Sequence, residues 1–164
     1  LVVIAPSNAL EVAGLLRSAI RCDDPVVFFE PKGFFRQPVA MPDDWPAIPI
    51  GRAAHLSSGD DVTIVSWAQA MPAAIGAAAQ LAGEGVGVDL FDLRTLWPWD
   101  RETVLASVSR TRRLVVAQEG VGTAGFCAEV AATVAEAVEE LKGIRRVASP
   151  RIPVPFAPPL EDVC

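Results

Sequence analysis

The first candidate for chemistry is a glycine pattern. Gly120-Val121-Gly122-Thr123-Ala124-Gly125 matches G-x-G-x-x-G, after an apolar run and before a helical one. Such a turn can bring backbone amides and a helix N-terminus to a pyrophosphate. A dinucleotide site also needs an acid about 20 residues on, at the end of the next strand, to hold a ribose. Glu139 and Glu140 have that count, but the pattern places them in the last turns of the helix. The strand after it runs out at Ser149-Pro150 with no acid. The motif also comes late in the chain, not at a first strand-to-helix turn. It reads better as a tight turn at a protein interface than as a nucleotide cradle.

The other chemistry-bearing residues are scattered. His55 is the single histidine, in an expected edge strand, and its sequence neighbours supply no nucleophile or acid to work with it. Cys127 falls in the first turn of a helix, where a thiol can be activated, but a small packed apolar residue is the simpler reading. The stretch Asp92-Leu93-Arg94-Thr95-Leu96-Trp97-Pro98-Trp99-Asp100 leaves a strand and enters a helix. Charges at the carboxyl end of a parallel strand are where α/β proteins put ligand contacts. Here a fixed loop is favoured, with Arg94 paired to a carboxylate and Asp100 capping helix amides. Glu119 is the same kind of case. Trp97 and Trp99 serve equally well as core or as interface anchors. No residue is assigned a catalytic, cofactor-binding or metal-ligating role. Arg94, Trp97, Trp99, Glu119, Gly122 and Gly125 are the candidates for an interface.

These residues need elements to hold them. Leu1 to Ala5 reads as a strand, and Asn8 with Glu11 resembles a capping box. Val12, Leu15, Leu16, Ala19 and Ile20 follow at helical spacing, and Val26 to Phe29 is a second strand. One such βαβ unit cannot bury both faces of its strands alone. Pro31, Pro38, Pro42, Pro46 and Pro49 then make a linker. Beyond it come an edge strand (52–56), a strand (62–67), an alanine-rich helix (70–82), a strand (86–93), a short helix after Asp100 and a strand (114–117). A helix with Phe126, Val130, Val134, Val138 and Leu141 on one face, a strand (144–148) and a Pro-rich tail complete the order. This alternation predicts a mostly parallel sheet covered on both faces.

Bulk properties narrow the class. The chain has 164 residues, 51% hydrophobic, enough for a sizeable core. A net charge of −6 disfavours nucleic acid or an acidic membrane surface as partner. No apolar run approaches the roughly 20 residues that span a bilayer, and no signal peptide opens the sequence. Three distant cysteines (Cys22, Cys127, Cys164) and one histidine give no zinc spacing, and free thiols in a reducing, cytoplasmic setting are expected. The abrupt strand at Leu1 and the unclosed end at Cys164 suggest part of a longer protein.

Several segments together resemble one family. They are Ala5-Pro6-Ser7 with Gly14-Leu15-Leu16, Asp24-Pro25-Val26 with Phe28-Phe29-Glu30, Asp61 to Val65, Asp92 to Asp100 and Arg113 to Val116. Thr123 to Phe126, Ala128 to Ala131 and the tail Pro153 to Pro158 continue the match. The sequence is similar to the β subunit of the decarboxylating component of 2-oxo acid dehydrogenase complexes, over essentially its whole length. The resemblance implies residues 1–48 as the end of a pyrimidine-binding domain plus linker, and 49–164 as a transketolase C-terminal-like domain. The latter would be a three-layer α/β/α fold with a five-stranded, mostly parallel sheet and one antiparallel edge strand.

For the whole enzyme the resemblance implies thiamine diphosphate and magnesium at a boundary between α and β subunits. The reaction would be decarboxylation of a 2-oxo acid such as pyruvate or a branched-chain acid, with acyl transfer to a lipoyl arm. Partners would be the α subunit, a second β subunit and the core acyltransferase. The glutamate that activates the cofactor in this family would lie upstream of Leu1, so this chain alone is expected to bind no cofactor, to be inactive and to serve assembly. Gln118-Glu119-Gly120 stands where the family often has His-Glu-Ala, and Cys127 stands in place of a small residue. The C-terminal domain of another thiamine enzyme, of the transketolase or deoxyxylulose-phosphate synthase type, is the nearer alternative. A nucleotide-binding module using Gly120 to Gly125 is the more distant one.

Overall fold

A computed structural model describes residues 1–34, 38–40 and 43–161. Cys164, Pro42 and the last three tail residues fall outside them. The first unit is β1 (Val2–Ile4), α1 (Ala9–Ile20) and β2 (Val26–Phe28). Asn8 caps α1 by accepting from the Glu11 amide at 3.0 Å. Glu11 does not return to the cap residue as a capping box would. It reaches one residue further, accepting from the amide and hydroxyl of Ser7. Leu15 is fully buried with Val2 and Ile4, while Leu16 and Ile20 on the same helix are exposed.

The described parts of the proline-rich stretch pack against the first unit. A short 3₁₀ turn, Lys32–Phe34, buries Phe34. Ser18 donates to the Ile48 carbonyl at 2.6 Å, the Ile48 amide donates to Gly14 at 3.1 Å, and Arg17 reaches the Trp45 carbonyl. Ile48 and Ile50 complete the apolar cluster around β1 and α1. Prolines rule out a ladder strand here but leave the chain able to lie along a helix.

The second unit runs β3 (Ala54–Ser57), β4 (Val62–Ser66), α2 (Met71–Gly83), β5 (Val88–Asp92), β6 (Thr95–Trp97), α3 (Arg101–Thr111), β7 (Arg113–Val121), α4 (Phe126–Ala137) and β8 (Gly143–Ser149). A last short helix, α5 (Pro158–Glu161), lies in the tail. Five of the strands form one sheet in the order β3-β5-β4-β7-β8. All neighbours are parallel except the edge strand β3, which is antiparallel to β5. The three-layer sheet with one antiparallel edge that the family resemblance implies is therefore present. One face packs Met71, Ala74 and Ala78 of α2 on Ile64, Val88 and Leu90. The other packs Val104 and Val108 of α3 and Val130 and Val134 of α4 on Val65, Leu114 and Val116. Each such valine, leucine, isoleucine or methionine side chain contributes about 1.5–3 kcal/mol relative to exposure.

Three local features differ from the pattern. β6 is a strand where the sequence reads as a loop, and it pairs antiparallel with β1 to complete a three-stranded sheet, β2-β1-β6. β7 does not end at Ala117 but continues through Gly120 and Val121. α4 stops at Ala137, so Glu139 and Glu140 lie beyond the helix and Glu140 takes a left-handed φ of 54°. Val138 stays buried after leaving the helix, so the apolar period continues although the helix does not.

Candidate functional site

The carboxyl ends of β1, β4 and β7 open on one cavity of about 350 Å³ between the two units. Trp67 and Phe126 form its aromatic wall, Phe29 and Leu96 its apolar sides, and Glu30 and Glu119 its carboxylates. Trp67 meets Phe126 edge-on at 5.6 Å, and Trp99 meets the same ring at 6.3 Å. Partial burial raises the Glu119 pKa above the ordinary glutamate value, although the residue as a whole is exposed. No ion pair reaches Glu30 or Glu119 among the described residues.

The glycine motif borders this cavity but is closed from within. Gln118 accepts the Cys127 amide at 2.9 Å, and its own amide donates to the carbonyls of Val121 (2.8 Å) and Gly120 (3.2 Å). The carboxamide thus occupies the helix-start position that an anion would need. Gly125 is required by this plug: a Cβ there would lie 2.2 Å from the Gln118 side-chain nitrogen and 2.5 Å from the Val121 carbonyl. Gly122 is less constrained, its nearest neighbour being Ala148 at 3.4 Å. Gln118 carries the role that the spacing of the glycines alone does not reveal. Cys127 is fully buried in the core, and Cys22 and Cys127 are both free thiols.

The candidate interface residues separate into two groups. Trp97 is 59% exposed, and Glu119 lines the cavity. Trp99 is buried, and Arg94 turns inward, its Nε donating to Glu11 at 2.6 Å. Asp100 accepts from the Thr103 amide at the start of α3 and from the Ala53 amide at 3.1 Å, fixing the loop.

His55 has a partner that its sequence neighbours do not show. Its Nε2 lies 2.7 Å from Asp89 Oδ1, and its ring stacks on Phe91 at 4.8 Å. Asp89 also accepts from Ser107 and from Arg110 Nη2 at 2.6 Å. Behind it, the Thr63 hydroxyl meets Ser107 (2.7 Å) and Thr111 (2.8 Å). Burial alone would raise the Asp89 pKa, but bonds from Ser107 and His55 and the Arg110 charge bring it below the ordinary value. Ser58, at 3.5 Å, meets the same ring nitrogen as Asp89. A nucleophile–histidine–acid relay needs opposite ring nitrogens, so the cluster is a structural network.

Fold and cleft together define a class. The chain belongs to the transketolase C-terminal domain family, whose description matches residues 51–164. It is 43% identical over 163 residues to the β subunit of acetoin:2,6-dichlorophenolindophenol oxidoreductase of Cupriavidus necator, covering 98% of this chain and 48% of that protein. It is 43% identical over 135 residues to the mitochondrial 2-oxoisovalerate dehydrogenase subunit beta 2 of Arabidopsis thaliana, covering 82% of this chain and 38% of that one. A solved structure titled a split gene transketolase, inactive beta4 tetramer, superposes with a TM-score of 0.74 at 28% identity, over 90% of this chain and 48% of that one. The resemblance to 2-oxo acid dehydrogenase β subunits is borne out, and the chain spans about half the length of the curated relatives or less.

The start of α4 and the cleft beside it do not fit thiamine diphosphate and magnesium. The amide at the start of α4 is taken by Gln118, the cleft carries carboxylates rather than cations, and among the described residues no group of His, Cys, Asp or Glu could hold a metal ion. Among the described residues no helix is long and apolar enough to cross a membrane.

Proposed function

We propose that this chain is the assembly half of the β subunit of a thiamine diphosphate-dependent 2-oxo acid dehydrogenase. The whole enzyme decarboxylates pyruvate, a branched-chain 2-oxo acid or a related compound and passes the acyl group to a lipoyl arm. Within it, this half holds the α subunit and a second β subunit together and presents a surface to the core acyltransferase. The observation that carries the reading is identity of 43% running through 98% of the chain, across both units, to the β subunit of acetoin:2,6-dichlorophenolindophenol oxidoreductase. The contact surface to a partner centres on exposed Trp97 and on Glu119 at the cleft. Arg94, Trp99, Gly122 and Gly125 shape that surface from inside. The cofactor is held elsewhere in the assembly.

The test is reconstitution. The full-length β subunit, mixed with its α subunit, thiamine diphosphate and magnesium, should decarboxylate a 2-oxo acid and bind α in a stable complex. The 164-residue chain alone should do neither the decarboxylation nor tight cofactor binding. Decarboxylation of pyruvate by this chain without an α subunit would overturn the reading.

A further inference from the structure

Two carboxylic acids meet in the buried seam between the βαβ unit and the main sheet. Glu11 comes from α1 and is 4% exposed, and Asp92 ends β5 and is 1% exposed. Ser7, itself 6% exposed, stands between them. Its hydroxyl contacts Glu11 Oε2 at 3.0 Å and also contacts Asp92 Oδ2. A serine hydroxyl carries a single hydrogen. With both acids ionised, one of the two contacts would set lone pair against lone pair in a buried site.

The remaining partners decide which acid holds the second proton. Glu11 has the guanidinium: Arg94 Nε donates to Oε1 at 2.6 Å, and the Ser7 amide donates to Oε2 at 3.1 Å. Asp92 has the Arg94 backbone amide, on Oδ1 at 2.9 Å, and among the described residues no side-chain cation bonds to it. On the neighbouring strands its partners in register are Ala54 and Ser66, neither of them charged. The Ser66 hydroxyl is engaged with the Ala117 carbonyl. Glu11 and Arg94 are therefore the charged groups that face Asp92.

We propose that Asp92 is a neutral acid in the folded protein and that its proton closes a latch between the two units. The chain of bonds runs from Asp92 Oδ2–H to the Ser7 oxygen, from the Ser7 hydrogen to Glu11 Oε2, and from Arg94 Nε–H to Glu11 Oε1. Every proton is used once, and the buried group is electrically neutral, with one carboxylate against one guanidinium. Loss of the Asp92 proton places a second negative charge beside Glu11 and breaks the Ser7 bridge. The latch then loosens as pH rises, with the backbone pairing of β1 and β6 left to hold the seam. Burial and the Glu11 charge raise the Asp92 pKa from 3.8 to about 7, against weaker lowering by Ser7 and Arg94, so the loosening falls near neutrality.

The experiment is a carboxyl-carbon NMR titration of the chain with labelled aspartate. One aspartate should titrate near pH 7, within about one unit, and its signal should vanish in Asp92→Asn. Glu11→Gln removes the neighbouring charge while keeping an acceptor, and should move that titration to lower pH. It stays informative if the Asp92 variant does not fold. Asp92→Asn keeps a donor toward Ser7 and should abolish the decline in stability expected of the parent between pH 4 and pH 7. If every aspartate titrates in the ordinary range near 3.9, or if Glu11→Gln leaves the high titration unmoved, the latch does not exist as described.

Discussion

Asp89 and Asp92 stand on the same five-residue strand, on opposite faces of the sheet, and their proton affinities are displaced in opposite directions. Alternation along a strand places them so. Asp89 meets a hydroxyl, an imidazole and a guanidinium, and is held ionised. Asp92 is buried beside a like charge, and its pKa is raised to about 7.

The two acids set opposing slopes on stability against pH. The Asp89 pKa is lowered in the folded state, so its contribution is present above about 3.8 and is lost as pH falls through the folded value. The folded Asp92 retains a proton that the unfolded chain has released, so stability falls as pH rises from about 3.8 toward 7 and then levels off. Asp89→Ala leaves His55, Arg110 and Ser107 without their common acceptor. It is expected to cost about 2 kcal/mol, less than a wholly buried pair because Arg110 is half exposed. Urea denaturation at several pH values measures both slopes.

Gly125→Ala drives a methyl into the Gln118 carboxamide and the Val121 carbonyl. The expected loss is about 1–3 kcal/mol, as for other overpacked sites. Gly122→Ala, with 3.4 Å to its nearest neighbour, should change stability by less than about 0.5 kcal/mol. Thermal melts of the two variants side by side give the comparison.

The two tryptophans of one loop should behave differently. Trp99 is buried and packs edge-on against Phe126 at 89°, so Trp99→Ala should cost about 3–5 kcal/mol. Trp97 is largely exposed, and Trp97→Ala should leave denaturation midpoints nearly unchanged. Equilibrium unfolding followed by fluorescence distinguishes them.

If Trp97 and Glu119 mark the partner surface, Trp97→Ala and Glu119→Lys should each weaken binding of the full-length β subunit to α at least tenfold, about 1.4 kcal/mol. Secondary structure and melting temperature should be unaffected. Sedimentation of mixed subunits reads the binding, and unchanged association in both variants would remove the cleft from the interface.

What the sequence reveals and what it conceals follow from range. The order of strands and helices, the Asn8 and Asp100 caps and the buried β4 are local, and period and capping chemistry expose them. β6 is not visible because three residues, Thr95–Trp97, carry no pattern of their own. Their strand character comes from β1, more than ninety positions away in the chain. His55 appears alone because its acid is separated from it by 34 positions and brought beside it by an antiparallel edge. The glycine motif resembles a phosphate cradle until Gln118 is placed in it, and nothing in the spacing says where a side chain two residues before Gly120 will point. The end of α4 is misleading for a physical reason: Val138 remains in the core after the helix has stopped.

β6 has a consequence for any attempt to divide this protein. It lies in the sequence of the second unit yet supplies the third strand to the sheet of the first. A cut near residue 49 would strip β1 of its ladder on that side and leave β6 as a bare edge with open amides and carbonyls, a template for wrong pairing. The same cut would part Ala5 from its 2.8 Å bond to the Arg94 carbonyl. The pairing of β1 with β6 bridges the linker that the sequence suggests, so the two pieces should unfold as one cooperative body.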